Sequence, residues 1–411
     1  MNKPRPQHAV LDVFPVADGQ LLIGGIPITR LAERVGQTPF YAYDRQKITE
    51  RVAHLREHLP AEIHLHYAIK ANPMPAVVQH LATLVDGFDL ASGGEMRTAL
   101  DTTMAPEHIS FAGPGKNRRE IAGAIAAGVT LNLESETELE TAAQEGERLG
   151  IQPLVAVRVN PDFELKSSGM KMGGGPKQFG IDAEQTPAIL KRIGKLDLKF
   201  QGFHIFSGSQ NLRPEAIIEA QEKTFELAYR LSADAPAPVH KLNIGGGFGI
   251  PYFPGDEPLD IKPIGERLNA LLAEKKSRLP ETRVIIELGR YLVGEAGIYV
   301  CKVIDRKISR GQVFLVADGG MHHHLAASGN FGQVIRKNYP ALIGNKLDVT
   351  EMETASVVGP LCTPLDILAE KMEFPKAEID DLVVILQSGA YGFSASPQAF
   401  LSHPLPLEIL I

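Results

Sequence analysis

Eight short apolar runs, each closing in a polar or glycine-rich turn and followed by a helical pattern, dominate the first 290 residues. They end near Lys70, Asp89, Gly113, Glu134, Asn160, His204, Gly245 and Glu287. The stretches between them, among them 95–100, 117–127 and 214–232, read as helices. Strands alternating with helices at this interval imply parallel βα units. About eight such units in roughly 250 residues is the signature of a closed (β/α)8 barrel, an α/β fold of the TIM type. A doubly wound open sheet is the alternative, but it leaves chemistry at the end of nearly every strand unexplained. In a barrel those strand ends form the catalytic face.

After Arg290 the pattern changes. YLVGEAGIYVCKVIDRKI and GQVFLVADGGM carry β-branched residues and turn glycines with few helical periods. They predict antiparallel strands of a β-rich C-terminal domain, residues 291–411, after a barrel over 41–290. The stretch from Leu21 to Ile28 is too short to pack alone, so residues 1–40 are expected to join the β domain. Composition narrows the function. With 44% hydrophobic and 22% charged residues the chain reads as an ordinary globular protein. A net charge of -7 argues against nucleic-acid binding, which needs a basic face. No apolar run approaches the ~20 residues that cross a bilayer, and the polar N-terminal residues predict a cytoplasmic protein. The two cysteines, Cys301 and Cys362, form neither a disulfide framework nor a metal-ligand spacing.

Lys70, in HYAIKANP, stands where the first run meets a loop. A lysine at the inner mouth of a sheet is costly to bury as a cation, which makes it a candidate for a depressed pKa and a Schiff base. Taken alone it reads more readily as a snorkelling surface lysine. Gly245, Gly246 and Gly247 follow a strand, and successive unobstructed N–H groups there suit a phosphate. A plain tight turn is the other reading. Ser207-Gly208-Ser209-Gln210, one strand earlier, adds hydroxyl donors, and late strand loops commonly build the phosphate site of such barrels. Glu287 ends the last run among apolar neighbours, and a buried carboxylate needs a partner. A protonated pyridine nitrogen would serve; a salt bridge to Arg290 or Arg158 is the structural alternative.

These motifs together resemble the pyridoxal-phosphate decarboxylases with an alanine-racemase-type barrel, the group that includes diaminopimelate, ornithine and arginine decarboxylases. The resemblance covers nearly the whole chain. It implies pyridoxal 5'-phosphate as cofactor and Lys70 of YAIKAN as its Schiff-base residue. It places Asp89 of GFDLASGGE near the ring and the phosphate on Gly245–Gly247 of GGGFG; Ser209 and Arg158 are read as further cofactor residues, and either Phe206 or His204, two residues earlier on the same strand face, is left to pack on the ring. In ELGR it gives Glu287 the pyridine nitrogen, with Gly289 beside it, and gives Arg290 a phosphate or substrate carboxylate. Tyr391 of SGAYG becomes a phosphate ligand. Cys362 of GPLC becomes the catalytic cysteine, which in the family reaches the neighbouring subunit's active site, so a homodimer is implied. Without the companion motifs, Cys362 and Tyr391 would read as inert core residues.

The departures are as informative. Many members carry a ring-stacking histidine where this chain has Phe206, which can stack but cannot hydrogen-bond. Diaminopimelate decarboxylases follow the cysteine with a glutamate for the distal ammonium, where Thr363 stands here, and carry an Arg-Pro-x-x-Tyr element after Asp-x-Gly-Met. Here Asp318-Gly319-Gly320-Met321 runs into His322, His323 and His324. Contiguous histidines point in different directions, so no metal is expected of them. KMGGGPKQFG and DGGMHHH resemble a narrower subgroup, which includes decarboxylases of amino acids held on an acyl carrier protein and relatives associated with exosortase gene clusters. Gly173–Gly175 are expected to form a mobile lip over the substrate. The expectation is thus α-decarboxylation of an amino acid tethered to a carrier protein or masked at its distal end. The alternatives are diaminopimelate decarboxylation in lysine biosynthesis, racemisation, or PLP binding without catalysis.

Overall fold

The computed structural model describes residues 7–9, 12–163, 170–171, 173–333 and 335–411. Its contacts divide into two units: residues 51–249 with 259–289, and residues 1–50 with 250–258 and 290–411.

The first unit is a closed barrel of eight parallel strands: β1 His64–Ala68, β2 Gly87–Leu90, β3 Ile109–Phe111, β4 Thr130–Leu133, β5 Leu154–Asn160, β6 Lys199–Ile205, β7 Lys241–Gly246 and β8 Arg283–Leu288. Each pairs with the next, and β8 returns to β1 with Ile286 opposite Leu65. All eight ends fall within two residues of those read from the apolar runs. The near-continuous burial of these strands reflects a parallel sheet covered on both faces.

The helices start where the sequence supplies caps. Asn117 and Glu120 form a reciprocal capping box at the head of Arg118–Ala127, and Gly128 closes that helix in the left-handed region. Ser92 and Ser135 cap Gly93–Leu100 and Glu136–Leu149 in the same way, each accepting the N–H three residues on. The β5–β6 register shifts between Phe200 and Gly202, and Gly202 has φ +144°, where any Cβ would overlap the Lys241 carbonyl. Only glycine allows β7 this close.

The second unit is β-rich, but its strands are not all antiparallel as expected. The thirteen-residue strand Gly297–Ser309 pairs antiparallel with Gln312–Ala317, Leu382–Ile385 and Phe40–Tyr43. Gln312–Ala317 is parallel to Met352–Val358, and Phe40–Tyr43 is parallel to the C-terminal strand Leu407–Leu410. Parallel partners need a crossover rather than a hairpin, and such long-range pairing leaves no local turn signal to read. Phe40–Tyr43, every residue buried, therefore lies in this unit, although the sequence reading began the barrel at residue 41. Leu21, Ile23 and Ile28 join a core with Phe40, Ile298, Val300 and Val384, so the short N-terminal segment gains its stability here.

Gly202→Ala is expected to cost about 3 kcal/mol or more, the range of severe backbone overlap and φ strain. Chemical denaturation followed by far-UV circular dichroism measures it. An unchanged midpoint would show that β6 and β7 can separate without loss.

Candidate active site

The C-terminal ends of the barrel strands bring most of the expected residues together. Lys70 lies in a single 3-10 turn, Ile69–Ala71, directly after β1. It is exposed, not buried as the sequence suggested, because the turn lifts it clear of the apolar strand. Its Nζ sits 5.6 Å from the centre of the Phe206 ring. Gly289, just past β8, lets the two strand ends close up: a Cβ there would stand 2.9 Å from Ala71 and 3.3 Å from the Ala68 carbonyl.

Glu287 is buried at the end of β8. His204 Nε2 lies 3.0 Å from its Oε2, and Asn243 Nδ2 is 3.4 Å from the same oxygen. Burial alone would push this carboxyl up. His204, with the positive charges of Lys70 and Arg158, outweighs burial and holds it well below the usual carboxylate range. Among the described residues Arg158, one of its alternative partners, is instead paired with Glu134, Nη1 to Oε1 at 2.8 Å. Glu287 is thus a buried negative charge flanked by hydrogen-bond donors. Among the described residues neither ring nitrogen of His204 has a hydrogen bond of good geometry, so Nε2 meets Glu287 as a close ion-pair contact and Nδ1 is buried without a partner.

The two loops read as a phosphate cradle are knitted together. The Asn211 N–H donates to the Gly247 carbonyl, and the Gly249 N–H donates to the Asn211 carbonyl, both at 2.9 Å. Gly245 and Gly247 have φ +68° and +77°. A Cβ on Gly247 would stand 2.6 Å from the Gly208 carbonyl, and one on Gly245 would stand 3.0 Å from the Phe206 ring. Ser207, Gly208, Gly246 and Gly247 line a small pocket with Asn211 and the first turn of the helix Pro214–Ser232. The Gly245 N–H is taken by Asn243 Oδ1, and a glycine turn of this kind beside a helix start suits an anion. Ser209, one residue further along the same loop, is half-buried.

Asp89 is turned toward the barrel interior. It accepts from Ser110 Oγ, its Oδ2 lies 3.1 Å from His66 Nδ1, and Asn132 Nδ2 donates to Ser110 Oγ at 3.0 Å. This polar ladder across β1 to β4 fixes Asp89 beside β1, two residues before Lys70. His66 was not singled out from sequence, although it shares an alternating face with Ala68.

A second network was also missed. Glu134 accepts from the Gly113 N–H, the Gly180 N–H and Arg158, and Lys116 Nζ bonds Glu138 at 2.9 Å and the Gly113 carbonyl at 2.6 Å. Asn160 holds the glycine lip: its Oδ1 accepts from the Gly174 N–H at 3.1 Å and its Nδ2 donates to the Gly175 carbonyl at 2.9 Å. Met172 of this motif lies outside the described residues. Glu134 thus ties three strand–helix loops to one carboxylate and supplies the counter-charge of Arg158.

In the β unit, Arg290 donates to Tyr252 Oη at 2.9 Å and lies 4.7 Å from the centre of the Tyr391 ring. Tyr252 packs on Tyr339, ring centres 4.6 Å apart. Tyr391 has φ +54°, a costly conformation for a bulky residue and one that clusters at functional sites. Cys362 is exposed and Cys301 is buried. His322, His323 and His324 are buried in a turn, and burial drives all three to the neutral form, His323 to about 4 and the others to about 3. His323 Nε2 meets the Pro404 carbonyl and His324 Nε2 meets Ser388 Oγ, each at 2.9 Å. Two of the three therefore have structural bonds.

Pyridoxal phosphate fits the barrel site: a lysine, an aromatic face, a glycine cradle for an anion, and a buried carboxylate with an unpartnered imidazole nitrogen nearby.

Glu134→Ala should destabilise the fold by about 3–5 kcal/mol, because it strands Arg158 as a buried cation. Burial raises the Glu134 carboxyl, but Arg158, Lys116 and the Gly113 N–H overcome that and lower it. Its folded pKa lies below the unfolded value, so its contribution is present above the unfolded value of about 4.3 and lost as pH falls further. Urea titrations of both proteins at neutral pH and below pH ~4 should show the gap between them narrowing in acid. A gap that stays constant would remove Glu134 from the charge balance.

Comparison with known proteins agrees with this site. The family described as pyridoxal-dependent decarboxylase, pyridoxal binding domain, matches residues 45–294. An L-glutamyl-BtrI acyl-carrier protein decarboxylase from Niallia circulans is 39% identical over 93% of this chain and 90% of its own length. The diaminopimelate decarboxylase of Aquifex aeolicus is 32% identical over 96% and 91%. The crystal structure of the diaminopimelate decarboxylase from M. jannaschi superposes with a TM-score of 0.86 at 27% identity, covering 97% of this chain and 93% of that one. No helix among the described residues is long and apolar enough to cross a membrane. The chain belongs to the pyridoxal-dependent decarboxylases, enzymes that remove carbon dioxide from amino acids with pyridoxal phosphate.

Proposed function

We propose that this enzyme removes the α-carboxylate of an amino acid whose far end is tethered to an acyl carrier protein or otherwise masked. The observation that carries this is the 39% identity, along nearly the whole chain, to a decarboxylase of carrier-bound glutamate, against 32% to a decarboxylase of free diaminopimelate. Thr363 supports it. A site for a distal ammonium needs a buried acid, and one that hydrogen-bonds such a group discriminates strongly against analogues lacking it. Thr363 is neutral, and its hydroxyl accepts the Leu365 N–H at 3.3 Å.

Lys70 would hold the cofactor through its Nζ. The glycine cradle with Ser209 takes the phosphate, and Arg290 and Tyr391 are assigned to the same phosphate or to the substrate carboxylate. Phe206 supplies a flat apolar face, and Asp89 is held beside β1 by His66. Glu287, kept ionised by His204, holds a proton on the pyridine nitrogen; Asn243 orients it and Arg158 adds positive charge behind it. When bound, pyridoxal phosphate supplies the electron sink that carries the charge left by departing carbon dioxide. Lys70 or Cys362 then delivers a proton to the product carbon. We further assign a homodimer in which Cys362 serves the partner subunit's site, supported by the exposure of Cys362 and of Leu365 beside it. Two free cysteines suit a reducing cytoplasm.

Carbon dioxide release from a carrier-linked glutamyl thioester and from free diaminopimelate decides the substrate. Faster release from the thioester is expected, and efficient turnover of free diaminopimelate would overturn the reading. Borohydride treatment of the PLP-loaded enzyme should leave a pyridoxyl group on Lys70, read by peptide mass spectrometry; a label on another lysine removes Lys70 from its role. Glu287→Gln should keep PLP but lower kcat by the equivalent of about 3 kcal/mol, the size of a lost preorganised electrostatic contact. Near-native turnover would make Glu287 a structural ion-pair partner only.

A further inference from the structure

The loop that carries Cys362 is folded around one carboxylate. It joins two antiparallel neighbours, Met352–Val358 and Ile367–Pro375, and Asp366 at its end is 2% exposed. Asp366 Oδ2 accepts the N–H of Leu361, the residue before the cysteine, at 2.8 Å. Its Oδ1 accepts the N–H of Met321 at 2.6 Å. Met321 belongs to a different segment, the turn that follows Gln312–Ala317. One side chain therefore closes the cysteine loop on itself and pins it to a neighbouring turn.

The loop backbone is drawn in around the same residue. The Asp366 N–H donates to the Thr363 carbonyl at 3.3 Å, the Gly359 N–H to the Asp366 carbonyl at 3.0 Å, and the Thr363 N–H to the Leu361 carbonyl at 2.8 Å. Room for the carboxylate depends on two glycines from the two segments, since a Cβ on Gly320 or on Gly359 would overlap its atoms. Both glycines belong to the DGGM and GPLC motifs, and neither has a positive φ. Close approach to Asp366, not backbone conformation, is what glycine provides at these positions. Burial raises the Asp366 carboxyl, and the two amides together with His403 offset part of that rise.

Ile367 onward would hold its strand with any residue at 366, and a surface loop of this length would tolerate several conformations without a buried anchor. We propose that Asp366 is the positioning residue for Cys362, fixing through the Leu361 backbone where the thiol is presented. It rests on the assignment of Cys362 to catalysis made above, but it can be tested apart from it.

The chain has two cysteines, and Cys301 is fully buried. A soluble disulfide reagent added to the native, PLP-loaded enzyme therefore reads Cys362. Asp366→Asn preserves shape while replacing one acceptor oxygen by a donor facing an N–H. Gly359→Ala leaves Asp366 chemically intact but displaces it. Both variants should shift the Cys362 labelling rate by about tenfold, the size of a lost hydrogen bond to a charged group. Both should lower kcat with KM and the visible PLP spectrum unchanged, a pattern that general destabilisation would not give. Labelling at the wild-type rate in a folded Asp366→Asn or Gly359→Ala enzyme overturns the proposal, whatever happens to kcat. If Cys362→Ala keeps full decarboxylase activity while the labelling rates still shift, the catalytic assignment of Cys362 falls and the positioning by Asp366 stands.

Discussion

A single buried negative charge, on Glu287, sets the conditions that the barrel mouth must meet. A carboxylate inside a protein is tolerated only where donors and positive charge replace water. Here they come from adjacent strands: His204 on β6 and Asn243 on β7, with Lys70 and Arg158 adding charge. Such convergence requires that β6, β7 and β8 keep one register at their C-terminal ends. The β7–β8 ladder slips between Asn243 and Gly246 so that Gly246 faces Glu287. The same slip lets Asn243 Oδ1 accept the Gly245 N–H at 2.9 Å, which shapes the first turn of the glycine loop. One local irregularity thus serves both the buried charge and the loop beside it, as strand bulges commonly do.

Charges at this mouth form two sets. His204 and Glu287 form one pair at the ends of β6 and β8, while Glu134, Glu138, Lys116 and Arg158 hold the neighbouring loops. Arg158 belongs to both, bonded to Glu134 and acting on Glu287 through space. Within the second set the two acids diverge. Burial is the largest influence on each, but Arg158, Lys116 and an amide N–H pull Glu134 down, whereas Glu138, with Oε1 unpartnered, is raised. The acid with more donors is the one whose carboxyl is lowered, and it is also the one that holds Arg158.

The strand ends were legible because parallel barrel strands are short apolar runs closed by polar turns, and the glycine cradle because its residues are contiguous. What escaped reading was held by distance along the chain. Lys116 lies in a loop with no periodic signal, and its acidic partner Glu138 comes from a neighbouring helix. His66 looked like one more residue of an alternating strand. Phe40–Tyr43 carries no mark that its neighbours are Gly297–Val300 and Leu407–Leu410, pairings separated by hundreds of residues. Lys70 was expected to be buried by its strand, but the single turn after Ala68 carries it out of the apolar wall.

The β unit makes the same physical point with opposite chemistry. Burial keeps its three histidines neutral, and His323 and His324 are held by a backbone carbonyl and a serine hydroxyl. Asp366, which looks like an ordinary loop acid, is buried and joins two glycine-containing segments. A titratable residue acquires its role from the number of donors that reach it and the space that smaller neighbours leave. Neither quantity is local in sequence, and both are set here by glycines at 320 and 359, whose missing side chains make room for the carboxylate between them.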